Sequence, residues 1–185
     1  MTAVRFRLTT TSSIIILLLL YVVTFLSSGC GKPPPAANQP DTAEAAKAVL
    51  SEFLNPNADH AVLSKRLRPN KEDYLAVFEP EFARTAEATY TPAWDGGQMV
   101  IAPKRGQTQV LLYRATTEDI KKWTGNASQH FPGGYQRVAS KFKDGLTIYS
   151  FEFAEPGATQ GVAFDGLVNV NGSWRIFPKP WRVAE

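Results

Sequence analysis

The feature that most constrains this chain is a short apolar run near its beginning, Ile14–Leu26. Arg5 and Arg7 precede the run, and Ser27-Ser28-Gly29-Cys30 follows it. A positively charged segment, a short apolar core and small residues, in this order, are typical of a secretory signal peptide. We therefore predict that residues 1–29 form a signal peptide and that the rest of the chain works outside the cytoplasm.

The length of the apolar run leaves one alternative open. Its 13 residues suit the core of a signal peptide, whereas a helix that crosses the hydrocarbon layer needs about 17 or more. The flanking serines Ser12, Ser13, Ser27 and Ser28 would extend the run to a marginal span. The second hypothesis for this region is therefore an uncleaved N-terminal transmembrane helix.

The end of the run resembles the lipobox of bacterial lipoproteins. Leu26-Ser27-Ser28-Gly29-Cys30 places small residues before a cysteine, and in that family the cysteine thiol accepts a diacylglyceryl group. Ser27 stands where the family most often has leucine. Cys30 is the only cysteine of the chain and can form no intramolecular disulfide, so a modified thiol explains it more simply than an incidental one.

The lipobox resemblance implies a cellular location. Cys30 would become the lipidated first residue of the mature protein, and acyl chains such as palmitate would bind it to the membrane, because each buried methylene contributes about 0.8 kcal/mol. The protein would then lie in the bacterial cell envelope, facing the periplasm or the exterior. The folded domain itself would need no contact with lipid.

The remaining composition argues against several classes of function. The chain has 20 basic and 17 acidic residues, and Arg5 and Arg7 leave with the signal peptide. A near-neutral domain without a run of like charges gives no case for binding nucleic acid. His60 and His130, the only histidines, lie in separate predicted loops and suggest no metal site. Since no nucleophile elbow or glycine-rich phosphate loop is present, we expect no cofactor.

A proline-rich segment separates the predicted anchor from the folded part. Lys32–Pro40 contains three consecutive prolines and few apolar residues, so it predicts an extended, semi-rigid tether of about 3 Å per residue. Residues 30–40 are therefore assigned to the lipidated cysteine and the tether. Residues 41–185 have a length that suits a single domain with one core.

The first half of this domain predicts helices. Asp41, with Glu44 three residues later, suggests a capping box before apolar residues at three- and four-residue spacing. Asn70 is the predicted cap of a later helix, and Pro80 the predicted first residue of another. The periodicity changes at Thr91-Pro92, where we expect the helices to end.

The second half predicts strands and one inserted helix. Turn signals separate runs rich in apolar and β-branched residues, while Thr116–Trp123 has the pattern of a short helix and Gly125–Gly134 that of a loop. The predicted strands are Met99–Ala102, Gln109–Ala115, Gln136–Phe142, Leu146–Phe153, Gly161–Val170 and Ser173–Phe177.

The dipeptide Asn171-Gly172 predicts a tight hairpin between the last two strands. It suits a type I′ turn, in which both central residues take positive φ. The alternative for Asp165-Gly166 is a second tight turn that would split the strand before it. The hairpin register pairs Asn169 with Trp174, Leu167 with Ile176 and Asp165 with Pro178 on one face of the sheet.

Helices followed by a mostly antiparallel, curved sheet indicate an α+β fold. The order of elements from Asp41 to Val183 resembles the cone-shaped NTF2-like fold, in which helices and a curved sheet enclose a pocket. That pocket is an enzyme site in some members and a binding surface in others, so the resemblance implies no activity. The closing segment, Phe164–Val183, resembles small exported bacterial proteins of uncharacterised function.

Asp165 is the candidate catalytic carboxylate. Strand alternation points it into a cavity beside Tyr149 and Trp174, where burial would raise its pKa towards a value useful for proton transfer. A hydrolase or isomerase that uses Asp165 with Tyr149 is therefore one hypothesis. As a turn residue, Asp165 would instead be exposed and structural, and this is the interpretation we favour.

The C-terminal residues are candidates for binding. Prolines end the last strand in an extended arm, and Trp181 either folds back on the core or joins Lys179 and Arg182 in an exposed aromatic and basic edge. With Trp174, these are the predicted binding residues. The preferred hypothesis is a non-catalytic domain that binds another envelope protein, a glycan or a small ligand, and the enzyme is the alternative. A spacer domain without a ligand is the third hypothesis.

Overall fold

The computed structural model describes residues 38–184. The predicted signal peptide, Cys30 and the tether up to residue 37 lie outside these residues, as does the transmembrane alternative. Between residues 38 and 184, none of the helices has the length and apolar character needed to cross a bilayer.

The helices of the first half cover the sheet. Thr42 caps the first of them, since its side chain accepts a hydrogen bond from the Ala45 amide. The predicted cap, Asp41, is therefore wrong by one residue, because its carboxylate contacts the hydroxyl of Tyr149 instead, at 3.2 Å. The helices are α1 (Ala43–Ser51), α2 (His60–Arg66), α3 (Lys71–Val77) and α4 (Pro80–Asp95), with a 3₁₀ turn at Glu52–Leu54.

The start of α3 follows its prediction, whereas the end of α4 does not. Asn70 and Asp73 form a capping box at α3, and Pro80 opens α4. Helix α4 continues through Pro92 to Asp95, although proline removes one amide from the helical ladder. Buried Trp94 lies beyond this proline and packs into a core, and this burial offsets the lost hydrogen bond.

Residues 99–102, a predicted strand, are irregular, and that prediction is wrong. The hydroxyl of Ser64 on α2 accepts a hydrogen bond from the Ile101 amide at 2.8 Å. A helix side chain thus satisfies the backbone group that a neighbouring strand would have paired.

Short helices interrupt the strands of the second half. The predicted helix at Thr116 is confirmed, with a capping box formed by Thr116 and Asp119. The predicted loop Gly125–Gly134 and the predicted strand Gln136–Phe142 are wrong, because both segments are mostly helical. The elements are β1 (Gln109–Thr116), α5 (Thr117–Lys122), α6 (Asn126–His130), α7 (Gly134–Arg137), β2 (Thr147–Ala154), β3 (Val162–Val170) and β4 (Ser173–Ile176), with 3₁₀ turns at Ala139–Lys141 and Pro180–Ala184.

The α+β class is confirmed. The four strands form one antiparallel sheet in the order β1-β2-β3-β4. Asn171 and Gly172 have φ of 52° and 71°, as the hairpin prediction requires. The register also follows the prediction at two pairs, Leu167 with Ile176 and Asn169 with Trp174.

Each face of the sheet is covered by its own apolar core. Ile148 and Val168 belong to a cluster with the helices from α3 to α7. Tyr149, Leu167 and Trp174 belong to a second cluster with α1 and the end of α4. Successive strand residues point to opposite faces, so the two cores are separated by the sheet itself.

Gly166 forms a β-bulge in the middle of β3. Tyr149 opposes Leu167 and Ser150 opposes Asp165, which leaves Gly166 without a partner on β2. Its φ is +85°, and a Cβ at this position would overlap the carbonyl oxygen of Phe177. Glycine is therefore required here both by conformation and by space.

The bulge changes the face on which Asp165 lies. One additional residue reverses the alternation of the strand, so Asp165 shares a face with Ser150 instead of Leu167. The predictions that Asp165 opposes Pro178 and lies beside Trp174 are therefore wrong. The alternative of an exposed turn is also wrong, because Asp165 is buried within a continuous strand.

Candidate functional site

Asp165 is the centre of a buried hydrogen-bond network. Its side chain is 6% exposed, and its Oδ1 atom accepts hydrogen bonds from the Tyr135 hydroxyl at 3.0 Å and the Lys179 amide at 2.9 Å. Burial raises the pKa of Asp165, while these bonds and the charges of Lys179 and Arg182 oppose the rise. Burial and the neighbouring carboxylate keep the pKa of Tyr135 well above its usual range. Tyr135 therefore remains a hydrogen-bond donor to Asp165.

This network holds the C-terminal arm, residues 178–183, against the core. Lys179 has a φ of 48°; its amide donates to Asp165, and its carbonyl accepts from the Tyr90 hydroxyl at 2.8 Å. The Trp181 ring meets Tyr135 edge to face at 5.3 Å and covers Gly134 so closely that a Cβ there would overlap it. Trp181 thus packs on the core, as the folded-back alternative expected.

The first of two clefts, the apolar cleft, lies beside this arm. Its volume is about 270 Å³, and the exposed residues Lys179 and Arg182 lie at its edge. No salt bridge joins either of them to another residue between 38 and 184. The cleft is lined by Tyr90, Trp94, Gln98, Met99, Val100, Ile101, Ala163, Phe164, Asp165, Ile176, Pro178, Lys179 and Arg182.

The second cleft, the polar cleft, has a volume of about 390 Å³. Its floor is the sheet face on which Tyr113, Ser150 and Asp165 lie directly opposite one another across β1, β2 and β3. His130, at the end of α6, stacks on Tyr113 with ring centroids 3.7 Å apart. The cleft is lined by Tyr113, Gln129, His130, Phe131, Pro132, Ser150, Glu152, Thr159, Gln160, Ala163, Phe164 and Asp165.

The predicted site residues do not form one group. Tyr149 and Trp174 are buried in the core, and burial raises the pKa of Tyr149 to about 12. The predicted pairing of Asp165 with Tyr149 is wrong, because the bulge places the two side chains on opposite faces. Trp174 is 3% exposed and provides no binding surface. Lys179 and Arg182 do line a cleft. Trp181 instead packs against Tyr135 and Gly134.

Several residues of the two clefts have no place in the sequence-based predictions. Tyr135, the partner of Asp165, lies between the predicted loop Gly125–Gly134 and the predicted strand Gln136–Phe142 and has no role in either prediction. Ser150 and Glu152 are polar residues at alternate positions of strand β2. This alternation indicates that one face of the sheet is partly polar.

The histidines lie apart in the structure. The His60 ring contacts the Phe53 carbonyl oxygen at 2.9 Å, and His130 stacks on Tyr113. Within residues 38–184, histidine, cysteine, aspartate and glutamate form no group of three or more that could bind a metal ion.

Comparison of the chain with protein-family models, with curated proteins and with solved structures returned no match. The likenesses to bacterial lipoproteins and to the NTF2-like fold therefore stay predictions. We infer the function of the domain from the chemistry of these two clefts.

Proposed function

We propose that this chain is a lipid-anchored protein of the bacterial envelope whose domain binds a small amphipathic anion without converting it. The observation that supports this best is the apolar cleft with two basic side chains at its edge. Its volume of about 270 Å³ lies just below the usual range for small-molecule sites, about 300–1,000 Å³, which favours a compact ligand.

The lining of the cleft indicates the chemistry of the ligand. Half-buried Met99 and Phe164 and exposed Val100 offer apolar surface, and burial of apolar area contributes about 25 cal/mol per Å². Lys179 and Arg182 add two positive charges at the edge. A ligand with a short hydrocarbon body and one carboxylate or sulfonate group would match both features.

The contacts around Asp165 favour binding over catalysis. Oδ1 is already occupied by the Tyr135 hydroxyl and the Lys179 amide, and the second of these bonds holds the arm that forms one wall of the cleft. A prearranged wall lowers the entropy lost on binding. Asp165 thus has a structural task whether or not a ligand is present.

The anchor is tested by metabolic labelling with palmitate. We expect the wild-type chain to incorporate label and to lack residues 1–29 by mass, and Cys30→Ser to incorporate none. A wild-type protein that retains residues 1–29 without label would contradict the lipid anchor and support the transmembrane alternative.

The ligand is tested on a Gly31–Glu185 fragment exported from its own host without the lipid. Native mass spectrometry should show a stoichiometric small-molecule adduct, and titration with octanoate should displace it. We expect the Lys179→Ala/Arg182→Ala double variant to bind octanoate about tenfold more weakly, which corresponds to about 1.4 kcal/mol. Octanol is the control for charge, because equal affinity for octanol and octanoate would contradict an anion site.

A second candidate function is a hydrolase or isomerase that uses Asp165 as a proton donor. Burial raises the pKa of Asp165, and its side chain lines the polar cleft, as proton transfer would require. Its hydrogen-bond partner would be Tyr135 instead of Tyr149. Turnover of p-nitrophenyl esters or glycosides by the wild type, lost in Asp165→Asn, would favour this candidate over pure binding.

A further candidate partner of the domain is an envelope protein. Crosslinking in intact envelopes tests this, with the Lys179→Ala/Arg182→Ala variant as the comparison. A crosslinked species that is lost in this variant would show that the arm binds a protein. A crosslinked species that persists in the variant would place the protein contact elsewhere, and the arm would remain the proposed site for the small ligand.

A further inference from the structure

The floor of the polar cleft is an ordered array of oxygen atoms. Tyr113, Ser150 and Asp165 are directly opposite one another on three neighbouring strands, and such side chains begin about 5 Å apart. Glu152 lies on the same face of β2, two residues beyond Ser150. The array exists because the bulge at Gly166 turns Asp165 towards this face.

Two other parts of the chain complete the cleft. Gln129 and His130 lie at the end of α6, and Thr159 and Gln160 lie in the loop between β2 and β3. The stacking of His130 on Tyr113 holds the end of α6 against the sheet. The Gly161 amide donates a hydrogen bond to Glu152 Oε2 at 2.5 Å, and this bond positions the loop.

The polar groups of the cleft are of a particular kind. Hydroxyl and primary amide groups can donate and accept hydrogen bonds at the same time, and carboxylates accept them. No lysine or arginine is among the described residues that line the cleft, so an anionic ligand would find no opposite charge and would meet Glu152. These properties suit a ligand that presents several neutral hydroxyl groups.

From this arrangement we propose that the polar cleft is a binding site for a neutral saccharide. The sugar hydroxyls would bind Glu152, Gln129 and Gln160, while the half-buried ring of Tyr113 provides apolar surface for its C–H groups. A simple cation is a poorer match, because one oxygen of Glu152 is bonded to the loop and Asp165 is largely withdrawn from solvent.

The saccharide site differs from the anion site proposed above in its charged residues. Ala163, Phe164 and Asp165 line both clefts, but the basic residues Lys179 and Arg182 line only the apolar one. A saccharide site therefore predicts binding that is insensitive to the removal of these two charges.

The experiment uses the full-length protein, purified from its host and placed in phosphatidylcholine nanodiscs. Maltotriose, cellotriose and tri-N-acetylchitotriose are each added at about 10 mM, and saturation-transfer NMR detects binding. We expect at least one of these sugars to bind, and the Gln129→Ala/Gln160→Ala double variant to bind it at least tenfold more weakly. Both glutamines are exposed, so their replacement leaves the core intact.

Two matched variants make the result specific. Gln98→Ala changes the same residue type in the apolar cleft and should leave sugar binding unchanged, as should Lys179→Ala/Arg182→Ala. The proposal is overturned if none of the three sugars binds the wild type. It is also overturned if Gln98→Ala weakens sugar binding as much as the double variant does, or if putrescine binds the cleft in place of the sugars.

Discussion

The two clefts share one wall but differ in their chemistry. Ala163, Phe164 and Asp165 line both. The apolar cleft is completed by α4 and the basic C-terminal arm, and the polar cleft by α6 and a loop rich in amide and hydroxyl groups. Because successive strand residues point to opposite faces, one short segment of β3 serves two surfaces. The covering elements, more than the shared strand, therefore determine what each cleft can bind.

The two clefts also depend on one buried side chain. Asp165 holds the arm of the apolar cleft through the Lys179 amide, and the bulge at Gly166 places its side chain in the polar cleft. Substitutions at these two positions should therefore disturb both clefts. Substitutions at the edge of one cleft should affect binding in that cleft alone.

The largest effect is expected from Gly166→Ala. The new Cβ would overlap the Phe177 carbonyl oxygen at a φ of +85°, so we expect a loss of more than about 3 kcal/mol in the free energy of unfolding. Binding of octanoate and of sugar should be lost together. Urea unfolding and both titrations measure this.

Gly157→Ala is the control for backbone conformation alone. Gly157 has a φ of +78° but no atom within 4 Å of a new Cβ, so its replacement should cost about 1 kcal/mol. An equal loss at Gly157 and Gly166 would contradict the role given to the bulge.

The next effect concerns the two hydrogen bonds to Asp165. Asp165→Ala leaves the Tyr135 hydroxyl and the Lys179 amide without their acceptor, and each unsatisfied buried donor costs about 1–3 kcal/mol. Asp165→Asn retains a carbonyl acceptor and should destabilise the fold by less than half as much. If urea unfolding finds the two variants equally destabilised, the hydrogen bonds are not what holds the arm.

The raised pKa of Asp165 gives the fold a dependence on pH. Between the ordinary aspartate pKa of about 3.9 and the raised pKa in the fold, the folded state binds more protons than the unfolded state. The free energy of unfolding should therefore fall as pH rises through this interval. Asp165→Asn removes the titrating carboxyl group, so its free energy of unfolding should lack this slope. Equal pH profiles for the wild type and Asp165→Asn would contradict the raised pKa of Asp165.

The smallest effect on stability is expected at the edges of the clefts. Lys179→Ala/Arg182→Ala should weaken octanoate binding with little change in the urea midpoint, and the octanoate affinity of the wild type should fall with added salt, because exposed charges are screened. Sugar binding should be indifferent to salt. A salt dependence of the same size at both sites would remove the distinction between the two clefts.

Local signals predicted local structure well. The cap at Asn70, the short helix that begins after Thr116 and the Asn171-Gly172 hairpin are confirmed, because each depends on residues a few positions apart. The pairing of Leu167 with Ile176 and of Asn169 with Trp174 also follows from the type of turn.

The errors occurred where distant contacts decide the structure. Buried Tyr135, Val138 and Phe142 have a spacing that fits a helical turn, yet short apolar segments do not distinguish a strand from a helix. Residues 99–102 do not form the predicted strand, because the Ile101 amide donates its hydrogen bond to Ser64 on α2. In both cases a partner remote in sequence selected one of two locally acceptable conformations.

By itself, the sequence determined the α+β class, the caps of α3 and α5 and the final hairpin, since these follow from periodicity and from turn and capping residues. The face on which Asp165 lies was decided only by the tertiary structure. Gly166 fits a turn or a bulge equally well by its own conformational freedom, and the close approach of Phe177 and the pairing with β2 select the bulge. That selection moved Asp165 away from Tyr149 and placed it between two clefts, because a shift of one residue exchanges the two faces of a strand.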